Sequence, residues 1–555
     1  MRRTACSVVS AAILADRLPR LGGAGRLVLL VPAVAALLAL GAGQAAAATR
    51  DVCPSGCPYT ELAPALAVAQ NGDTIRIGSG TYEGGVTIDV SVELVGAGAA
   101  RTIISGGGPV LTIGEFGAST EPTVSIEGVT ITGGVTRSSP ESTPFTGQEG
   151  VVAAGGGVEI PPNADFSGGA TVRIARSTIT DNRVAPSDTA PLGPDCPGGP
   201  CPFAFAGGGG IDSWGTLTLT HTTISNNRVG SASGLSTLAS DAVGGAISNN
   251  LGPLTISGSV IQGNQASATG PNGRFAEGGA LSVSGGTLKV RNSSVTGNSS
   301  ALAASLPNSV DMLANGGGIH LSGDVSTAKI RNTTISGNSI SMTNTVGDSE
   351  AFSGGIHVNP GVDFTMSNSV VGDNSVSSAT LAGSSGNAEG DSGAGELLGT
   401  ISNTRLRGNT VTATSAGGDA SAFGGAVIDF GSITNSVIRD NHVDASSPTG
   451  TVFAGGAIVV DEPGLTLRNT AVGGNTVHVS GASGSAQGGG IIDGPIDNGP
   501  PGGPLTLVNS RVTGNVLSGS TGITLQGGGL YIQNQPLTST NSVIANNSPD
   551  QCFGC

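Results

Sequence analysis

Aromatic residues are scarce in this chain: one Trp, three Tyr and 12 Phe among 555 residues. Carbohydrate sites built on stacked rings need several aromatics on one surface, and Trp214 and Tyr531 are too few for that. Charged residues make up only 11% and leave a net charge of −15. That balance argues against nucleic acid and anionic membrane surfaces as partners. Apolar spacing at i, i+3, i+4 is absent, which excludes a helical repeat. Beyond Leu40 no apolar run is long enough to cross a bilayer. The sequence has no phosphate-cradling glycine loop, no Ser–His–Asp signature and no cysteine-nucleophile motif.

What the chain has is glycine, 94 residues of it, and regularly placed apolar residues at 37% of the total. Regular placement favours repetition of one small unit over disorder. The clearest unit is Asn332-Thr-Thr-Ile-Ser-Gly-Asn338. Its outer residues stand six apart, and so do Asn292 and Asn298, Asn368 and Asn374, Asn403 and Asn409, and later pairs through Asn541 and Asn547. Earlier copies keep the spacing with Arg176, His221 and Gly258 in first place. An apolar residue sits three after the start, as Ile335 does here. A second landmark precedes each copy: a Gly-Gly corner followed by an apolar residue, as in Gly208-Gly-Gly-Ile211, Gly278-Gly-Ala-Leu281 and Gly316-Gly-Gly-Ile319. Gly393-Ala-Gly-Glu396 is the outlier.

Successive asparagine pairs lie mostly 32 to 40 residues apart. The physical solution is an all-β solenoid, a right-handed parallel β-helix of roughly 12 rungs at ~4.8 Å each. Each rung carries two or three short strands, because one rung cannot bury its apolar face alone. Asparagine suits the corners: it tolerates left-handed backbone, and its amide bonds to its own copies above and below. Gly-Gly suits a corner of positive φ or close backbone approach. A variable loop separates each asparagine pair from the next Gly-Gly. The longest, Pro186 to Phe205, holds Cys196 and Cys201.

The ends carry processing signals. Arg2, Arg3, Arg17, Arg20 and Arg26 precede an apolar run from Leu27 to Leu40, and Ala45 to Ala48 offers a small-residue cleavage site. Fourteen apolar residues are short for a span, so export is the reading and a membrane anchor its rival. Six cysteines remain after removal, in local couples Cys53 and Cys57, Cys196 and Cys201, and Cys552 and Cys555. An even number in an exported chain implies disulfides, each closing a short loop worth ~2 kcal/mol. A zinc site from the two terminal couples is the alternative, with no His nearby. The expected division is 1–48 secretion signal, 49–135 N-terminal cap and first coils, 136–548 repeats, and 549–555 a cysteine-containing cap. Glu61 to Gln70 is expected to form a short helix.

The Gly-Gly-Ala-Ile and Gly-Gly-Ala-Leu corners, with an apolar-x-x-Asn partner, resemble the repeats of polymorphic outer-membrane proteins. More broadly, the chain resembles right-handed parallel β-helix proteins of the pectin-lyase-like fold. Gly72-Asp-Thr-Ile-Arg-Ile, leading to Gly80-Thr-Tyr82, looks like the first coil of such proteins. The resemblance spans nearly all of residues 60–548. This chain has Ile, Val or Leu where the membrane family usually has Phe, and its run to Cys555 leaves an autotransporter mechanism unexpected.

Two columns are candidates for chemistry. The residue after each Gly-Gly-apolar corner is expected to point outward, giving Glu159, Asp212, Ser248, Ser282, His320, His357, then Ile428, Val459, Ile492 and Tyr531. Glu159 with Asp212, and His320 with His357, would be neighbours able to serve acid–base cleavage of a polysaccharide. The plainer reading is a row of polar positions on a solvated face, with the apolar half of the column suggesting cover by loops there. The second column holds Arg291 and Arg331, with Lys289 and Lys329 alongside, suited to an acidic glycan or simply a solvated face. Enzymes of the resembled fold typically use clustered carboxylates for calcium. Asp212, Asp429, Asp461 and Asp493 are scattered, so no cofactor is expected and calcium is unsupported. The expectation is a secreted or cell-surface monomer, binding polysaccharide or surface proteins through its loops without catalysis. The alternative is a polysaccharide lyase or glycoside hydrolase.

Overall fold

The computed structural model describes residues 47–137, 150–186, 203–230, 239–269, 273–305, 312–494, 503–533 and 535–555. Over these residues the chain is a parallel β-solenoid. Its three sheets contain 27, 20 and 14 strands, every strand paired with its equivalent one coil away. The helix, Leu62–Leu66, is shorter than the expected segment and buries Leu62, Ala65 and Leu66. The 14-stranded sheet contributes one strand per coil. Three short leading coils precede about eleven turns built on the asparagine repeat, close to the expected number.

The seven-residue repeat is now explained position by position. Its first residue, Asn332, has φ +51, and Asn292, Asn368 and Asn403 lie within a few degrees of that. Asparagine is among the few side chains that tolerate this conformation cheaply. The next residue is a hydroxyl: the Thr333 backbone N–H donates to Ser369 Oγ at 3.3 Å, and Ser259 donates likewise to Ser293 Oγ at 3.2 Å. This hydroxyl ladder was not foreseen. Thr334–Ser336 then forms a three-residue strand with only Ile335 facing inward, stacked between Val295 and Val371. Gly337 turns the chain again at φ +63, where other coils place Asp373 or Asn226.

Asn338 closes the unit, fully buried. Its Nδ2 donates to Asn374 Oδ1 at 3.0 Å and to the Val295 carbonyl at 3.0 Å. Its Oδ1 accepts from the Asn298 backbone N–H at 3.1 Å and from Asn298 Nδ2 at 2.9 Å. All four hydrogen-bonding capacities of the amide are therefore met. The same link joins Asn182 to Asn227, and continues to Asn515 and Asn547. At the last coil Gln551 substitutes for a further asparagine, accepting from Asn547 Nδ2 at 3.2 Å.

A full turn holds five strand segments, more than the two or three expected. One turn runs Ser299–Ala304, Leu313–Asn315, Ile319–Leu321, Val325–Arg331 and Thr334–Ser336. The first two belong to the 20-stranded sheet and occupy what the sequence suggests is a variable loop. They fold back on each other as a fin around a core of their own, including Ala266, Ala268, Ala276, Leu302 and Ala314. Alanine is a weak strand former, so this core leaves a faint pattern in the sequence. The body holds a larger core of Ile, Val and Leu. The Gly-Gly corner joins fin to body. Gly316 takes φ +62, and a Cβ on Gly317 would lie 2.5 Å from the Gly354 carbonyl oxygen.

Disulfides join Cys53 to Cys57 in the first described coil and Cys552 to Cys555 in the last, each closing a short local loop. Cys196 and Cys201, with most of the Pro186 to Phe205 loop, lie outside the described residues, as do residues 1–46 of the expected signal. Among the described residues no helix is long and apolar enough to cross a membrane.

Candidate functional site

The sharp bend at Gly-Gly sets the fin against the body and leaves a notch running along the solenoid. One wall is the residue after each corner apolar residue, on the 27-stranded sheet. In register along it, Glu159 opposes Asp212, His320 opposes His357, and His357 opposes Glu396. The other wall is the end of the fin strand, where Glu277, Asn315, Phe352, Asp391 and Phe423 follow one another.

The column was expected on a solvated face. It is instead covered: Glu159 and Asp212 are each 2% exposed, His320 4% and His357 8%. The fin folds over it, a contact that strand alternation within one segment cannot reveal. Toward the C-terminus the same notch turns apolar, with Phe423, Val459, Ile492 and Tyr531 in one cluster. Tyr531 stacks on Phe553 at 5.2 Å.

The middle of the notch gathers the titratable groups. His320 Nδ1 lies 3.1 Å from Glu277 Oε2, and the two histidine rings are 5.4 Å apart. His357 Nδ1 lies 3.4 Å from Glu396 Oε2 and 3.1 Å from Ser353 Oγ. Ser353 Oγ also accepts the Glu396 backbone N–H at 3.1 Å. Burial and then the charge of His320 push His357 down to about 3, against the pull of Glu277. Burial works to raise Glu277, but His320 and His357 outweigh it and hold the carboxyl below its ordinary value. Burial lifts Asp241 to about 7, with Arg274 opposing and Glu277 assisting.

Ser, His and Glu in contact invite comparison with a nucleophile–base relay, but the geometry fails that test. A relay uses one ring nitrogen for the nucleophile and the other for the orienting carboxylate. Here Nδ1 of His357 faces both Ser353 and Glu396. A histidine held near 3 is also too weak a base at neutral pH. Glu159 and Asp212 cannot assist, since Asp212 and His320 are three coils apart, ~14 Å at the usual strand spacing. Asn250 Nδ2 approaches both Asp212 carboxylate oxygens, at 3.3 and 3.4 Å. Among the described residues no three His, Cys, Asp or Glu side chains gather as metal ligands. Asp493, one of the carboxylates considered for calcium, is fully buried in the body with neither oxygen hydrogen-bonded. A cavity of about 370 Å³ lies elsewhere, against the N-terminal disulfide, lined by Asp51, Cys53, Cys57 and Arg76.

Sequence reasoning found the histidines and missed Glu277, Ser353 and Glu396. Glu396 had a signal, since it holds the column position in the irregular corner Gly393-Ala-Gly-Glu396. Glu277 directly precedes its corner, and its relevance depends on the bend. Arg291 and Arg331 are brought together in direct register, as are Lys289 and Lys329. All four are exposed.

Comparison with solved structures finds the A-module of the mannuronan C-5 epimerase AlgE6 of Azotobacter vinelandii. It is 11% identical over 86% of this chain and 93% of that one, with a TM-score of 0.17. The PL6 family alginate lyase AlyGC is 9% identical over 88% of this chain and 98% of that one, also with a TM-score of 0.17. At these values neither likeness bears on chemistry. No protein-family model matches the chain, and no curated protein matches it.

Proposed function

We propose that the protein is an exported, non-enzymatic β-solenoid scaffold, displayed at or released from the cell surface, that binds polysaccharide on its outer faces and loops. The observation that carries this reading is the covered column: the acidic and histidine side chains that converge are interior parts of the notch. The paired terminal cysteines and the N-terminal apolar run with its small-residue site support export. A second reading, polysaccharide cleavage, is favoured by the approach of Glu277 and Glu396 to the two histidines. It requires the fin to move away from the body.

The test is to incubate the purified protein with acidic and neutral polysaccharides, with and without calcium. Co-sedimentation with a polysaccharide, without new reducing ends or unsaturated products, is the expected result. Release of either product would replace the scaffold with an enzyme.

A further inference from the structure

The outer face of the 27-stranded sheet is lined by hydroxyls. One column reads Thr218, Thr255, then Lys289 and Lys329, then Thr365 and Thr400. The neighbouring column, two residues along each strand, reads Thr220, Ser257, then Arg291 and Arg331, then Ser367 and Ser402. Two adjacent coils thus replace Thr and Ser with four cations at once. Stacked coils stand ~4.8 Å apart, and alternate residues of a strand ~6.7 Å apart. The four charges therefore occupy one small rectangle of exposed surface.

Like charges directly opposed across a strand pair are destabilising. Such pairs are usually relieved by carboxylates, yet none of these four cations is ion-paired among the described residues. Arg291 Nε donates to Ser257 Oγ at 3.1 Å, which fixes the guanidinium against the sheet. The chain has only 23 Lys and Arg against 38 Asp and Glu. Four unneutralised cations in register are thus a local reversal of the protein's charge.

We infer that Lys289, Arg291, Lys329 and Arg331 form a docking site for an acidic polysaccharide, a polyuronate whose carboxylates repeat along one chain. Arginine accepts a carboxylate through two parallel N–H groups, and lysine adds a point charge beside it. Thr255 and Thr365 flank the site and offer hydroxyls to sugar oxygens. A flat sheet suits an extended polymer, and the absence of an enclosing pocket permits binding along its length. The net charge of −15 disfavours the same polymer over most of the remaining surface.

This inference rests on the scaffold reading and names the ligand class for it. The variant K289T/R291S/K329T/R331S gives both coils the residues that adjacent coils carry at the same positions, so the fold is preserved. A control, R405T/R407S/R439S/R511T, removes four exposed arginines from the 14-stranded sheet instead. Calorimetric titration with polygalacturonate at low salt is expected to show binding by wild type and by the control. The patch variant should bind at least tenfold more weakly. Wild-type affinity should fall steeply with added salt, and neutral dextran should not bind. If the patch variant binds polygalacturonate as wild type does, or both variants lose affinity equally, the site is wrong while the scaffold reading survives. If wild type binds no polysaccharide of either kind, both fail. Preference for nucleic acid or for a second copy of the chain over the polyuronate also overturns the site.

Discussion

Replacing Asn338 with leucine tests the ladder at its centre. Leucine matches asparagine in branching and heavy-atom number, so the change removes polarity while keeping the side-chain skeleton, and its two bulkier methyl groups add some overpacking. It withdraws the acceptor of the Asn298 backbone N–H and of Asn298 Nδ2, and a donor to the Val295 carbonyl. Asn374 Oδ1 keeps the Asn338 backbone N–H at 3.0 Å. Asn298 Nδ2 keeps its second bond, to the Ile261 carbonyl at 3.1 Å. Two or three buried polar atoms are left short, each costing about 1–3 kcal/mol. The expected destabilisation is about 3–6 kcal/mol. Asn332→Ala is the comparison. The Asn332 side chain donates to Asn292 Oδ1, in solvent, and its loss is chiefly that of a residue suited to left-handed backbone, about 1 kcal/mol. Urea denaturation followed by circular dichroism ranks the two. Hydrogen exchange by mass spectrometry shows whether N338L loosens its own coil and both neighbours, as a nearest-neighbour array requires. A cost for N338L no larger than that of N332A would refute the ladder as the device that sets the coils.

Burial raises Asp493 to about 6 from its ordinary 3.8, so the folded state holds that proton more tightly than the unfolded one. Its penalty is absent below about pH 4, grows as pH rises toward 6, and is then constant; Asp493→Asn should match wild type in acid and exceed it by up to about 3 kcal/mol at neutral pH in urea titrations. Gly317→Ala should cost about 1–3 kcal/mol because its Cβ strikes backbone. Gly297→Asn, with nothing within 4 Å of its Cβ and asparagine at the equivalent Asn226, should stay within about 1 kcal/mol of wild type by the same assay. Gln551→Ala should speed amide exchange in residues 541–555 and leave the central coils unchanged.

Much of the solenoid was legible in the sequence because each coil repeats the same constraints. The six-residue spacing, the apolar residue between, and the Gly-Gly corner each answer to one backbone requirement. The two asparagines share a name and differ in role: Asn332 is chosen for its φ, Asn338 for its amide, and spacing alone does not separate them. The fin was not legible. Segments such as Gln265–Thr269 read Gln, Ala, Ser, Ala, Thr, and small side chains in a narrow core resemble a loop in composition. Missing the fin changed the reading of the site. His320 and His357 were placed on the correct wall, but the wall was thought to face water. What buries them is Glu277 and its neighbours from a segment 40 or so residues earlier, a relation set by the bend and not by period.

The histidines of the notch are buried parts of the scaffold. Nuclear magnetic resonance of ¹³C-labelled histidine reports that burial directly, with the His357 signal assigned by its loss in His357→Gln. That signal is expected to stay unchanged from about pH 8 down to about pH 4.5, because burial and His320 hold the imidazole neutral. A titration midpoint near the ordinary histidine value of about 6.5 would place the ring in contact with water and contradict the account.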